Sequence, residues 1–249
     1  MLCRDPALVL KLMRVANAPA FAGTGHKGKW TLQEAIVRLG VKKVGAMAQQ
    51  VALVNQLVRP EASGFDLKRF WEHSAGCALM ASRLYEDKLV TVGGALEFND
   101  YWIAALLHDG GKLVLGFFFW EWCERILKQM ARDKHTFAEA EAECGGVSHT
   151  ELGALLLKKA KFSDELIAAV AQHHDPGDKP TPLACLIHVA DNLAKEAGLS
   201  YLEKEPARYD RRALQALGLK REDARRLLES LGPQIVEDVR SMVDACMRS

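Results

Sequence analysis

Trp102-Ile103-Ala104-Ala105-Leu106-Leu107-His108-Asp109-Gly110-Gly111-Lys112 runs five apolar residues, from Ile103 on, straight into a His-Asp pair, then two glycines and a lysine. An aspartate buried after such a run costs several kcal/mol unless its charge is compensated, and a divalent cation is one compensator. Paired glycines let the backbone turn sharply and approach a ligand closely. The competing reading is a plain helix C-terminus, with His108 near the last carbonyls and Asp109 in solvent.

A second aspartate raises the same demand. In Leu186-Ile187-His188-Val189-Ala190-Asp191-Asn192-Leu193-Ala194, Asp191 sits inside an apolar helical pattern and needs a cation or several donors. Histidines surround these two positions in the sequence. His73 lies at the edge of the apolar stripe of its helix, in line with Cys77, Met80 and Leu84. His149 falls in the first turn of a capped helix, and His173-His174 end another. Taken singly, each has a bland explanation: a hydrogen-bonded core histidine, or histidines at the negative end of a helix dipole. Together, ligands from separate helices are a standard route to a metal pocket in a bundle core. A shared cation also satisfies both aspartates at once. His26, His135 and His188 stay outside the set, the first two in polar surroundings and the third off the Asp191 face.

The rest of the chain reads as helix. Asp5-Pro6 is an N-cap followed by Pro at the first helical position, with Leu8, Leu12, Val15 and Ala16 at helical spacing. Capping boxes stand at Thr31–Glu34, Thr136–Glu139 and Ser148–Glu151. Gly40 separates apolar helices at 32–39 and 41–57. Asp66 caps a longer helix with a stripe of Leu67, Phe70, Trp71, Ser74, Ala78, Ala81 and Tyr85. Further helices are expected at 99–109, 113–132, 163–174, 183–197, 207–217, 221–231 and 233–247, with a Pro/Gly/Asp break from Asp175 to Pro182. The fold class is therefore all-α. The segment Pro60–Gly64 divides it into a smaller N-terminal helical part, 1–60, and a larger bundle, 61–249, that holds the pocket.

Composition excludes several functions. Lys plus Arg, 33, nearly cancel Asp plus Glu, 32, so the chain lacks the basic footprint of a nucleic-acid or anionic-membrane binder. Its longest aromatic-aliphatic run, Leu113–Trp120, is too short for a membrane span. The first residues lack a signal-peptide layout. The six cysteines are scattered without a C-x-x-C pair, and Cys77, Cys185 and Cys246 lie in apolar patterns. Reduced core thiols in a cytoplasmic protein are expected, not a disulfide framework.

The order His73, His108-Asp109, His149, His173-His174, Asp191 resembles the HD superfamily of metal-dependent phosphohydrolases, and more finely its HDOD branch (HD-related output domain). The phrases that carry the likeness are Asp5-Pro6-Ala7-Leu8 through Asn17, Ala35–Gly40, Phe70-Trp71-Glu72-His73-Ser74 and Leu106–Asp109. They continue through His149-Thr150-Glu151-Leu152-Gly153-Ala154, His173-His174 and Ala190–Ala194. They occur in order across essentially the whole chain. The resemblance implies an HD-like multi-helix bundle and a signalling role, with a protein partner and, as the small ligand, a nucleotide.

In catalytic relatives His73, His108, Asp109 and Asp191 would correspond to the ligands of one metal. Asp109 would bridge to a second metal held by His149, His173 and His174. Lys112 matches a lysine near substrate phosphate, which makes Asp109 and Lys112 the catalytic candidates. A His/Asp set suits Fe, Mn, Zn or Ni, as one ion or two.

Three departures qualify the likeness. Gly110 replaces a common aliphatic residue. The segment Asp175–Pro180 is too short for the Gly-Tyr-Pro loop of the cyclic-dinucleotide phosphodiesterases. Relatives usually carry helices upstream of the Asp5-Pro6 position, whose absence would leave the Leu8, Leu12, Val15 face to self-association as a homo-oligomer or to docking of another segment. The reading that fits best is a regulatory module with an HD-type pocket. The alternative is a metal-dependent phosphohydrolase acting on a nucleotide or another phosphoester.

Overall fold

A computed structural model describes residues 65–201 and 205–247. The helices and caps expected within 1–60, the boundary at Pro60–Gly64 and His26 lie outside the described residues. Those residues form helices α1 (Leu67–Glu86), α2 (Phe98–Leu107), α3 (Gly110–Phe118), α4 (Trp120–Asp133) and α5 (Phe137–Cys144). After them come α6 (His149–Lys159), α7 (Asp164–Gln172), α8 (Pro182–Ala194), α9 (Arg211–Ala216) and α10 (Arg221–Met247). A π-helical turn, Lys195–Leu199, extends α8. No strand occurs among the described residues.

The starts of these helices follow local chemistry. Asp66 accepts from the Arg69 N–H at 3.0 Å and opens α1. Both capping boxes in this region form, Thr136 with Glu139 at α5 and Ser148 with Glu151 at α6. Thr181 caps α8, with Pro182 in its first turn.

Helices α1 and α8 are the centre of the bundle. They pack on each other, and α2 packs on both. Every residue of α8 from Leu183 to Ala194 is buried, so this helix has no solvent face. Asp191 is itself fully buried. Gly76 on α1 leaves room for the turn after α8, because a Cβ there would stand 2.6 Å from Leu199 Cδ1. Cys77, Cys123 and Cys185 are buried and unpaired, and burial pushes the thiols of Cys123 to about 12 and Cys185 to about 11.

The structure departs from the expected helices in four places. The stretch 113–132 is not one helix: it breaks at Phe119, and α4 turns by 117° from the α2–α3 run. The break lets α3 bury Leu113 and Leu115 while α4 buries Cys123, Ile126 and Met130 elsewhere. Helices 221–231 and 233–247 are one helix, α10, continuous through Pro233. Proline in a helix interior costs about 3 kcal/mol; here Leu231, Ile235, Val239, Met242 and Val243 are all buried and hold the axis. Residues 207–210 are not helical, and α9 begins at Arg211. The turn at 108–111 contains no positive φ, so the two glycines are not there to reverse the chain.

Among the described residues no single helix is long and apolar enough to cross a membrane.

Candidate metal centre

The seven singled-out His and Asp side chains converge between α1, the α2–α3 junction, α6, the end of α7 and α8. They form two groups whose ligand atoms lie within 4.8 Å of one another: His73, His108 and Asp191, and Asp109, His149, His173 and His174. Asp109 stands between them. Its Oδ2 is 3.3 Å from His73 Nε2 and 3.4 Å from His108 Nε2, and its Oδ1 is 3.3 Å from His149 Nε2 and 3.6 Å from His173 Nε2. Asp191 Oδ1 lies 3.1 Å from His73 Nε2, and Asp191 Oδ2 lies 3.9 Å from His174 Nδ1.

Local structure fixes the imidazole tautomers. His73 Nδ1 faces the Leu199 carbonyl at 3.1 Å, His108 Nδ1 the Ala105 carbonyl at 2.6 Å, and His173 Nδ1 the Val170 carbonyl at 2.8 Å. A carbonyl only accepts, so each Nδ1 carries the proton and a neutral ring turns its Nε2 lone pair inward. His149 Nδ1 is held by the Glu141 carboxylate, which also accepts from the His149 N–H at 2.7 Å. Nε2 atoms are thereby brought face to face, His73 with His108 at 3.2 Å and His149 with His174 at 3.1 Å.

Such an arrangement asks for a cation. Asp109 Oδ1, Asp191 Oδ1 and His173 Nε2 are buried and make no hydrogen bond. Buried polar atoms in folded proteins are almost always paired. These three sit in one place, each among other inward-facing ligand atoms. The residues present thus fit a divalent metal, and nitrogen and carboxylate donors suit Fe, Mn, Zn or Ni.

Protons and lysines partly stand in for that charge. Burial pulls the His73 imidazole down, but Asp109 and Asp191 outweigh it and raise it to about 9. Burial pushes both carboxyls up, yet Lys112 and His108 hold Asp109 well below the usual carboxylate range, and Lys195 with the histidines does the same for Asp191. Burial keeps His173 down at about 4 and His174 well below the ordinary value, so those two rings are neutral.

Lys112, expected near a substrate phosphate, is buried. Its Nζ lies 2.7 Å from Asp109 Oδ2 and 4.7 Å from the centre of the Phe137 ring. Lys195 occupies the matching place beside Asp191, 2.9 Å from Oδ2 and 3.4 Å from Glu205 Oε1. Lys195 and Glu141 thus act at the site as well, beside the candidate ligands. Lys195 had a signal, four residues after Asp191 on the same helix. Glu141 had none to separate it from Glu139 and Glu143.

His135 lies apart with Asp133 and Glu143 at the surface. His188 is no member of either group, but it is not idle: Nδ1 donates to the His173 carbonyl at 2.6 Å, and Nε2 accepts from the Asp210 N–H at 2.7 Å. The paired glycines divide their work. A Cβ on Gly111 would stand 1.9 Å from the His149 carbonyl oxygen, so Gly111 lets α6 cross α3 closely and brings His149 to Asp109. A Cβ on Gly110 would meet nothing within 4 Å. The close approach expected toward a ligand is made toward another helix.

An all-helical bundle with two His/Asp groups joined at one aspartate defines the class. The chain belongs to the HDOD domain family, whose model matches residues 1–176. Among solved structures it is similar to an HDOD domain protein of unknown function from Geobacter sulfurreducens, at 22% identity and a TM-score of 0.76, covering 98% of this chain and 84% of that one. It is also similar to a candidate phosphohydrolase from Shewanella amazonensis SB2B, at 23% identity and a TM-score of 0.72, with coverage of 98% and 84%. A candidate signal transduction protein from Marinobacter aquaeolei VT8 matches at 22% identity and a TM-score of 0.77, over 99% of this chain and 54% of that one. At these identities the likeness is one of fold. No curated protein matches this chain.

Proposed function

We propose that this chain is a regulatory module of bacterial signalling that binds metal at His73, His108, Asp109, His149, His173, His174 and Asp191, and that it passes the state of that pocket to a protein partner in the cytoplasm. One observation carries the reading: the seven candidate ligands converge, yet six of the seven side chains are at most 1% exposed, and His174 alone reaches the surface, at 19%. A hydrolase needs substrate within reach of the reacting centre and a cation free to meet its phosphate. Here both buried lysines are engaged by Asp109 and Asp191. The role assigned to Lys112 is to hold Asp109 ionised and oriented.

A second reading, a metal-dependent phosphohydrolase, is favoured by the shared position of Asp109 between the two groups. A pair of divalent ions, when bound, supplies an activated water and a clamp for a phosphoryl group. In that case Asp109 joins the two sites, Glu141 orients His149, and Lys195 keeps Asp191 charged. Cyclic di-guanylate is not the expected substrate. The segment Asp175–Pro180 is short, and misplacement by about 1 Å costs on the order of a hundredfold in rate.

The test is elemental analysis of purified protein, then a phosphomonoester and phosphodiester screen on anaerobically prepared, Fe- and Mn-loaded samples. Bound metal without multiple turnover supports the regulatory reading. Steady turnover lost in Asp109→Ala would overturn it and put the hydrolase first.

A further inference from the structure

Two cavities open beside His174, the exposed edge of the pocket. One, of about 210 Å³, is lined by Glu141, Ser148, Thr150 and the two glycines Gly145 and Gly146, and carries no cation. The other, of about 400 Å³, is lined by His174, Ala207, Arg208, Tyr209, Asp210 and Arg221.

The wall of the second cavity is built rather than incidental. Asn192, buried next to Asp191, accepts from the Arg208 N–H at 2.6 Å and donates to the His188 carbonyl at 2.8 Å. Two residues on, the Asp210 N–H is held by His188, which is itself tied to the His173 carbonyl. The loop 207–210 is thus pinned to the same stretch of α8 and the same end of α7 that present Asp191, His173 and His174. Tyr209 is fixed by its hydroxyl, which donates to Glu196 Oε2 at 2.8 Å, and Arg221 stacks 4.4 Å over its ring.

The wall of this cleft carries two arginines, Arg208 and Arg221, and Glu196 stands behind Tyr209. The one carboxylate on its wall, Asp210, is taken by Arg212 at 2.7 Å. Glu139 accepts from Nε of Arg208 at 3.1 Å, and among the described residues Arg221 has no carboxylate partner. Arg221, and Arg208 through the guanidinium nitrogens that Glu139 does not occupy, suit an anion with several acceptor oxygens, which Arg meets with paired hydrogen bonds.

We infer that the cleft between the 207–210 loop and the start of α10 is a phosphate-binding subsite, in which Arg208 and Arg221 hold the phosphate of a phosphoester ligand against the His174 edge of the metal pocket. This inference rests on the metal-pocket reading for its biological sense, but the subsite stands on its own residues.

The test is isothermal titration of the full chain, as prepared and Mn-loaded, with inorganic phosphate and with guanosine monophosphate. Arg208→Gln and Arg221→Gln are each expected to weaken binding about tenfold, Arg221→Lys less, while metal content by elemental analysis stays that of the parent. The stacked and paired roles of these arginines would instead lower the melting temperature and leave affinity alone, so melting is measured on each variant. Binding equal in the parent and the double Gln variant, or no binding of either probe by the parent at millimolar concentration, overturns the subsite. Arginine-dependent phosphate binding in a protein that takes up no metal would keep the subsite and sink the metal-pocket reading.

Discussion

Four of the seven candidate ligands are set by a partner behind them. Carbonyls of Leu199, Ala105 and Val170 decide how His73, His108 and His173 face, and Glu141 decides it for His149. Losing such a supporting group typically costs 10- to 100-fold in metal affinity. Glu141→Gln keeps the size of the side chain but replaces an anionic acceptor with a weaker, neutral one. It is expected to lower affinity at the Asp109, His149, His173, His174 group by roughly that factor, and to leave the His73, His108, Asp191 group close to the parent. Metal titration followed by elemental analysis checks it. Equal loss from both groups would show that they act as one site. The use of His188 as a strut between His173 and Asp210 could not be read from one helix alone.

Helices meet where side chains allow it. Gly111 admits the His149 carbonyl at a distance no Cβ tolerates, while Gly110, one residue earlier on α3, faces open space. The two therefore respond in opposite ways. Gly111→Ala forces α3 and α6 apart and is expected to destabilise the fold by about 3 kcal/mol. It should also displace His149 and so lower metal uptake. Gly110→Ala is expected to be neutral or to stabilise by about 0.4–1 kcal/mol, because it restricts the unfolded chain without a clash. Urea denaturation with both variants separates them, and similar destabilisation by the two would refute the close-crossing account. Sequence periodicity located α1, α7 and α8 well, because each has a long apolar face. It missed the 117° break at Phe119 and joined residues 207–210 to a helix, because both features depend on what lies opposite.

Across the whole molecule, the candidate ligands come from five elements that are far apart in sequence, so an ion in the first group would tie α1, the α2–α3 junction and α8 together, and one in the second would tie that junction to α6 and α7. Binding to the folded state alone stabilises by about 2.7 kcal/mol at a hundred times the dissociation constant. For a chain of this size that is roughly 5–10 °C in melting temperature. Chelation during purification is therefore expected to lower the melting temperature by about that amount, and metal to restore it. An unchanged melting temperature on metal addition would argue against a pocket that binds only when folded.

The sequence alone determined the helical class, the caps at Asp66, Thr136 and Ser148, and the demand of two apolar-flanked aspartates for compensation. These are local consequences of residue type and spacing. It also named seven side chains as one set, on their order and the family likeness. Tertiary structure alone decided that the seven meet, that Asp109 stands between two groups, and that Lys112 turns inward to Asp109. It alone closed the pocket except at His174 and placed Arg208 and Arg221 beside that opening. Burial and distance between remote segments are properties of packing, which no single stretch of sequence contains.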